Sequence, residues 1–203
     1  MSAFLGPIHF VMYAKVKDQE RKIRDMAQLA DERGWTSGLM DQVDAYKEGP
    51  DLGDLRDLVD MDNIHGWLSE RVLATEGRYF YTVRAILSED HEKRLEELKE
   101  IERLYGEKAG STMDQNLSLD EAFSFLRDTT LDGMPCDGGI MPMDTTWPKL
   151  VYKIDMKVHP EFSGNNMEEE FFLLREAWLE GFSKATDIEA KRESFNTFYL
   201  KFD

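Results

Sequence analysis

The sequence predicts a mainly α-helical fold, a bundle of five to six helices with a small β-hairpin insert. It reads as a single helical domain over 1–203, with a Pro/Gly-rich β insert at about 132–166. Three observations carry that prediction. Apolar residues recur at spacings of three and four along most of the chain, the period switches once to two, and the switch coincides with a cluster of Pro and Gly. A chain of 203 residues buries roughly 70% of the surface it exposes when unfolded, which suffices for one packed domain.

The first helix is predicted from Pro7 to Arg33, with His9, Met12, Val16, Gln19, Ile23, Met26 and Ala30 on one face and Gly34 as its stop. Pro7 suits the start, where the first backbone N–H groups lack intrahelical acceptors and a missing one costs nothing. Residues 35–60 mix Gly, Pro and Asp with small apolar clusters, and read as a long connection with one or two short helical turns. A connection of that length lets the helices on either side run parallel, where a short loop would force them antiparallel.

The next helix is expected from about Met61 to Leu87, with His65, Leu68, Val72, Glu76, Tyr79, Val83 and Ile86 on its stripe. Ser88-Glu89-Asp90 reads as the start of a largely exposed helix over 91–108, because a serine oxygen caps and early carboxylates suit the positive helix end. Ser118 and Glu121 predict a capping box for a helix through about Thr130. Residues 132–166 then hold four of the six prolines, and Leu150, Tyr152, Ile154, Met156 and Val158 alternate with polar residues as a strand does. Ile140 to Asp144 is its expected hairpin partner, confined to an edge by Pro142. Two closing helices are expected, one through Met167, Phe171, Leu174, Trp178 and Phe182, the other through Ile188, Phe195, Phe198 and Phe202 after a Thr186 to Glu189 capping box.

Charge narrows the partners. The chain carries 25 basic and 41 acidic residues, a formal net charge of −16. Such a surface repels phosphate backbones and anionic lipid, so neither nucleic acid nor membrane is an expected partner. No stretch approaches the ~18 apolar residues that a bilayer span requires. The N-terminal MSAFLGPIHF lacks the basic flank and apolar run of a secretory signal, and the single Cys136 allows no intrachain disulfide, so a reducing cytoplasm is the expected compartment.

Chemistry is expected first at the histidines. His9 and His65 both fall in phase with apolar stripes near a helix start, where burial and the positive helix end favour neutral imidazole, the form that ligates metals and accepts protons. With the two helices parallel, both rings can share one site; alternatively each is a core histidine bonded to a carbonyl or carboxylate. Asp62 stands three residues before His65, a spacing that di-iron bundles use with Glu and in duplicate. Glu76 lies eleven residues beyond His65, ~16 Å at ~1.5 Å per residue, too far to share an ion and more in keeping with a buried ion pair.

The stretch from Met134 to Met143 packs Cys136 and three methionines beside Gly138 and Gly139. Soft sulfur suits Cu(I) or nucleophilic catalysis, although methionine and cysteine equally serve as core gap fillers. His159 falls in phase with Lys153, Asp155 and Lys157, which puts it on the wetter strand face; His91 opens the most charged helix as a solvated group. No dinucleotide fingerprint, phosphate-binding loop or serine-hydrolase elbow is present, and the acidic run from Asp51 to Asp62 lacks the EF-hand order of ligands.

Phe4-Leu-Gly-Pro-Ile-His9, Asn63-Ile-His65-Gly-Trp67 and Gly133-Met-Pro-Cys136-Asp137 resemble segments shared by a group of poorly characterised helical proteins. The resemblance touches most of the chain at three short places. It brings no established activity, and is compatible with His9, His65 and Cys136 converging.

Three functions follow as expectations. In the first, His9, His65, Asp62 and Cys136 bind a transition metal (Zn, Fe or Cu) or a small metallo-cofactor. In the second, a metal-independent enzyme uses Cys136 as nucleophile on a small molecule, His65 as its base, and Asp62 or Asp137 to orient that base. In the third, the chain is a non-catalytic interaction or scaffold protein whose acidic helix or surplus aromatic face meets another subunit, as in a homo-oligomer.

Overall fold

A computed structural model describes residues 4–114 and 116–202. The fold is mainly helical, with eight α-helices and a four-stranded antiparallel sheet among the described residues. The chain forms two compact units, Met1–Glu89 and Asp90–Asp203.

The first unit is all helix: α1 (Pro7–Glu32), α2 (Leu39–Tyr46), α3 (Leu55–Leu58) and α4 (Ile64–Ile86). Both long helices fall where their apolar period predicts, and the connection between them carries the two short helices. Contacts between α1 and α4 advance in the same direction along both chains. His9 meets His65, Tyr13 meets Trp67, and Glu20 meets Arg78. The two helices are therefore parallel, with their starts at one end. Met12, Val16, Ile23 and Met26 of α1 pack with Leu68, Val72, Val83 and Ile86 of α4 in a core from which water is excluded. The short helices add Leu39, Val43 and Leu55 to that core.

The second unit comprises α5 (His91–Thr112), α6 (Leu119–Thr129), β1 (Ile140–Asp144), β2 (Lys149–Ile154), α7 (Pro160–Gly164), α8 (Glu168–Lys184), β3 (Ile188–Ser194) and β4 (Thr197–Phe202). The expected capping box is present: Ser118 Oγ accepts the Glu121 N–H, and Glu121 accepts the Ser118 N–H at 2.9 Å. The start of α5 differs from expectation. Ser88 Oγ donates to Ala85 O behind it, and Asp90 caps the helix by its left-handed backbone with no side-chain bond.

The sheet order is β1-β2-β4-β3, so β1 with Pro142 lies on the edge that its missing N–H demands. Leu150, Tyr152 and Ile154 of β2 and Phe198 and Leu200 of β4 form the buried face. The expected last helix is corrected here: residues 188–202 form the β3–β4 hairpin. Thr186 ends α8 by donating to Phe182 O, and Phe195-Asn196 turns the chain between Ser194 and its partner Thr197. Period-two burial of Ile188, Ala190, Phe198 and Leu200 decides the outcome, because a hairpin completes the sheet begun by β2.

Within this unit α5 and α8 also run parallel, since His91 pairs with Glu170, Arg103 with Glu180, and Glu107 with Lys184. Glycine sets their spacing. A Cβ on Gly106 would stand 1.9 Å from Trp178 O, and one on Gly181 would stand 2.0 Å from Arg103 O. Among the described residues no helix is long and apolar enough to cross a membrane.

Candidate functional site

His9 and His65 meet in the first unit. Their ring centroids are 5.5 Å apart, with planes at 87°. His9 is the third residue of α1 and is buried, while His65 is the second residue of α4 and is exposed. The two rings thus make a half-open site, one imidazole in the protein and one at its surface.

The local reason for His9 is helix initiation. Its Nδ1 accepts the Gly6 N–H at 2.9 Å, and its own backbone N–H donates to Gly6 O at 3.1 Å. This reciprocal pair closes the start of α1, where backbone donors otherwise go unsatisfied. Burial, and then the charge of His65, lower the His9 pKa below its ordinary 6.5. Since Nδ1 is an acceptor, the neutral ring carries its proton on Nε2, as a donor.

The other predicted donors are placed differently. Asp62 is exposed and precedes α4, which begins at Ile64 under an Asn63 cap, so it is not one helical turn from His65. Its backbone N–H donates to Asp60 Oδ1 at 2.9 Å. Cys136 belongs to the second unit, in a single 3-10 turn over Pro135–Asp137. There it is exposed, with Sγ 3.9 Å from Asp137 Oδ1. The core-anchoring role falls to Met134 alone of these neighbours, since Met143 is exposed. Among the described residues no group of three or more His, Cys, Asp and Glu side chains is arranged to hold a metal ion.

Two buried ionic clusters join residues that the sequence reading left apart. In the first unit, Glu20 of α1 accepts from Arg78 Nε through both oxygens at 3.0 and 3.1 Å, and from Thr75 Oγ1 at 2.8 Å. Arg78 Nη1 donates to Lys47 O at 2.6 Å and is ion-paired with Asp44 Oδ1 at 2.7 Å. The arginine is 2% exposed and Glu20 is 1% exposed. A pocket of about 540 Å³ opens beside this pair, with Met40 and Pro50 in its apolar wall.

In the second unit, Asp132 Oδ1 accepts a hydrogen bond from His159 Nε2–H at 3.0 Å, and its two oxygens accept from the guanidinium of Arg175 at 2.8 and 3.0 Å. Burial alone would raise the Asp132 pKa. The Arg175 charge and the hydrogen bonds of the pair outweigh it and hold the carboxyl well below the usual range. Tyr152 OH, also buried, has no hydrogen-bond partner among the described residues, and burial pushes its pKa up. His159 was expected on the wetter face and is instead fully buried against Phe171, at 4.1 Å between centroids. The phase fails because β2 ends at Ile154 and a 3-10 turn over Met156–Val158 rotates the chain. His91, as expected, is a surface group, paired with Glu170.

The sequence signal for both clusters was a charge inside an apolar helical stripe: Glu20 between Val16 and Ile23, Arg78 beside Tyr79, Arg175 between Leu174 and Trp178. The Asp132 cluster is closed to solvent and acts on packing. The histidine pair and the Arg78 pocket are open, and can meet a ligand. No protein family, characterised protein or solved structure matches this chain.

Proposed function

We propose that the first unit binds a transition-metal ion, zinc, iron or copper, or a small metallo-cofactor, through His9 and His65. The observation that carries this reading is the 5.5 Å approach of the two rings at the joint start of parallel helices. His9 is kept neutral, as a ligand must be, and the exposed His65 leaves an approach open. Water or a bound small molecule would fill the remaining positions, since among the described residues no third His, Cys, Asp or Glu is grouped with this pair.

The Gly6 hydrogen bond sets a condition on such a site. A metal on His9 Nε2 moves the ring proton to Nδ1, which then faces the Gly6 N–H donor and cannot accept from it. Loading is therefore coupled to opening the first turn of α1, and the Gly6 amide should report it. Titrating untagged, metal-free chain with zinc, cobalt, copper and iron is expected to give one bound equivalent, with a shifted Gly6 amide resonance. His9→Gln and His65→Ala should each abolish it. No stoichiometric binding of any of these ions, or binding intact in both variants, overturns the proposal.

The same hydrogen bond favours a second reading, a metal-independent acid–base pair. His9 would donate through Nε2–H, and His65 would accept a proton from a substrate, so that His65→Ala should lose turnover of any substrate the chain is found to convert.

A further inference from the structure

We propose that the first unit holds a second ligand site, the pocket over Arg78, and that its ligand is a small zwitterion of the α-amino acid type.

The floor of the pocket is a buried cation with donors to spare. Arg78 spends Nε on Glu20 and Nη1 on Asp44 and Lys47 O, and among the described residues Nη2 makes no hydrogen bond. Nη2 is not among the buried atoms left without a partner, so it faces the open volume of the pocket, where a bound carboxylate can take the place of water. Space is left beside it. Gly49 lines the same pocket, and a Cβ there would lie 2.9 Å from Nη2 and 3.0 Å from Cζ. Glycine at position 49 thus leaves the guanidinium edge uncovered.

The rim supplies both signs of charge. Arg24 joins Arg78 as a cation, while Asp44 and Glu48 stand with Glu20 as anions. Among the described residues, neither Arg24 nor Glu48 is spent on another side chain. Three carboxylates against two guanidinium groups leave the lining at net −1, which disfavours a phosphate or a dicarboxylate. A cation alone would make no use of Nη2 and would meet the charge of Arg78. A molecule carrying both groups satisfies both, its carboxylate on Arg78 Nη2 and Arg24, its ammonium on Asp44 and Glu48. The volume, about 540 Å³, lies within the range of small-molecule sites and holds such a ligand with water.

This site is distinct from the histidine pair. Glu20 is eleven residues beyond His9 on α1, ~16 Å along the helix axis. The two proposals therefore stand or fall separately.

The test is calorimetric titration of the full chain with the common α-amino acids, and with the decarboxylated and deaminated counterpart of any that binds. At least one amino acid is expected to bind with a Kd between ~10 µM and ~1 mM, and each counterpart at least ~10-fold more weakly. Arg24→Gln and Glu48→Gln, both at exposed positions, should weaken binding several-fold without moving the thermal midpoint. Gly49→Ala should block it by covering Nη2. The proposal is overturned by the absence of heat with every amino acid at ~10 mM, a concentration that reveals even millimolar affinity. A counterpart that binds as tightly as the zwitterion also overturns it, as does binding unchanged in both Gln variants.

Discussion

His9 shows how one side chain can serve folding and still be ready for chemistry. Its Nδ1 completes the first turn of α1, and burial with the nearby His65 makes its protonated form unfavourable in the folded chain. The consequence for stability has a definite sign. Because the folded pKa lies below 6.5, the unfolded chain takes up this proton first as pH falls, so stability is full above that value and declines below it. The decline ends once the folded histidine also protonates. Urea unfolding from about pH 8 to about pH 5 should show this loss in the wild type and a smaller one in His9→Gln, whose amide oxygen can still accept the Gly6 N–H. Equal slopes in the two proteins would mean that His9 titrates alike in both states. Asp132 has the opposite shift: Arg175 and His159 hold its pKa down against burial, so its contribution is present above 3.8 and is lost in acid, outside the histidine window.

At the scale of elements, the sequence is most informative where a period runs long. Both helices that carry the histidines, their parallel course, the capped helix at Ser118 and the edge strand at Pro142 all follow from spacing, capping and connection length. The hairpin at 188–202 does not, because Phe195, Phe198 and Phe202 at spacings of three and four imitate a helix. What decides for strands is β4 pairing with β2, a contact between residues about fifty positions apart that no local pattern contains. For the site, position within a stripe was enough to bring His9 and His65 together. It was not enough for Asp62, because the helix expected from about Met61 starts at Ile64, beyond Asp62.

The parallel pair α5 and α8 was hidden for a related reason. Gly106 and Gly181 are helix-weakening residues that earn their place only by backbone approach across the interface. Gly106→Ala should cost ~3 kcal/mol or more, since the added methyl meets the Trp178 carbonyl, which cannot move as a side chain can. Gly181→Ala should cost about as much, and the double variant less than the sum, because one displaced helix relieves both clashes. Denaturant midpoints measure this; a loss under ~1 kcal/mol for either would show that the helices readjust freely.

Over the whole molecule, each compact unit has its own apolar core and its own buried ionic cluster: Glu20 with Arg78 in one, Asp132 with His159 and Arg175 in the other. Removing one partner of such a cluster leaves the other charged and desolvated, at a cost of ~3–5 kcal/mol. That cost should appear where the cluster lies. Arg78→Met is expected to speed amide exchange throughout α1 and α4 and leave the protection of α5, α8 and the sheet near its wild-type level. Asp132→Asn should do the reverse, because free energies of opening belong to cooperative units and not to the chain as a whole. Exchange followed by mass spectrometry on both variants reads the two patterns directly. If either substitution loosens 1–89 and 90–203 to the same extent, the chain unfolds as one block and the two cores stabilise each other. If the patterns separate, the histidine pair and the Arg78 pocket depend on the stability of the first unit alone, and variants of Cys136 should leave ligand binding at the pocket untouched.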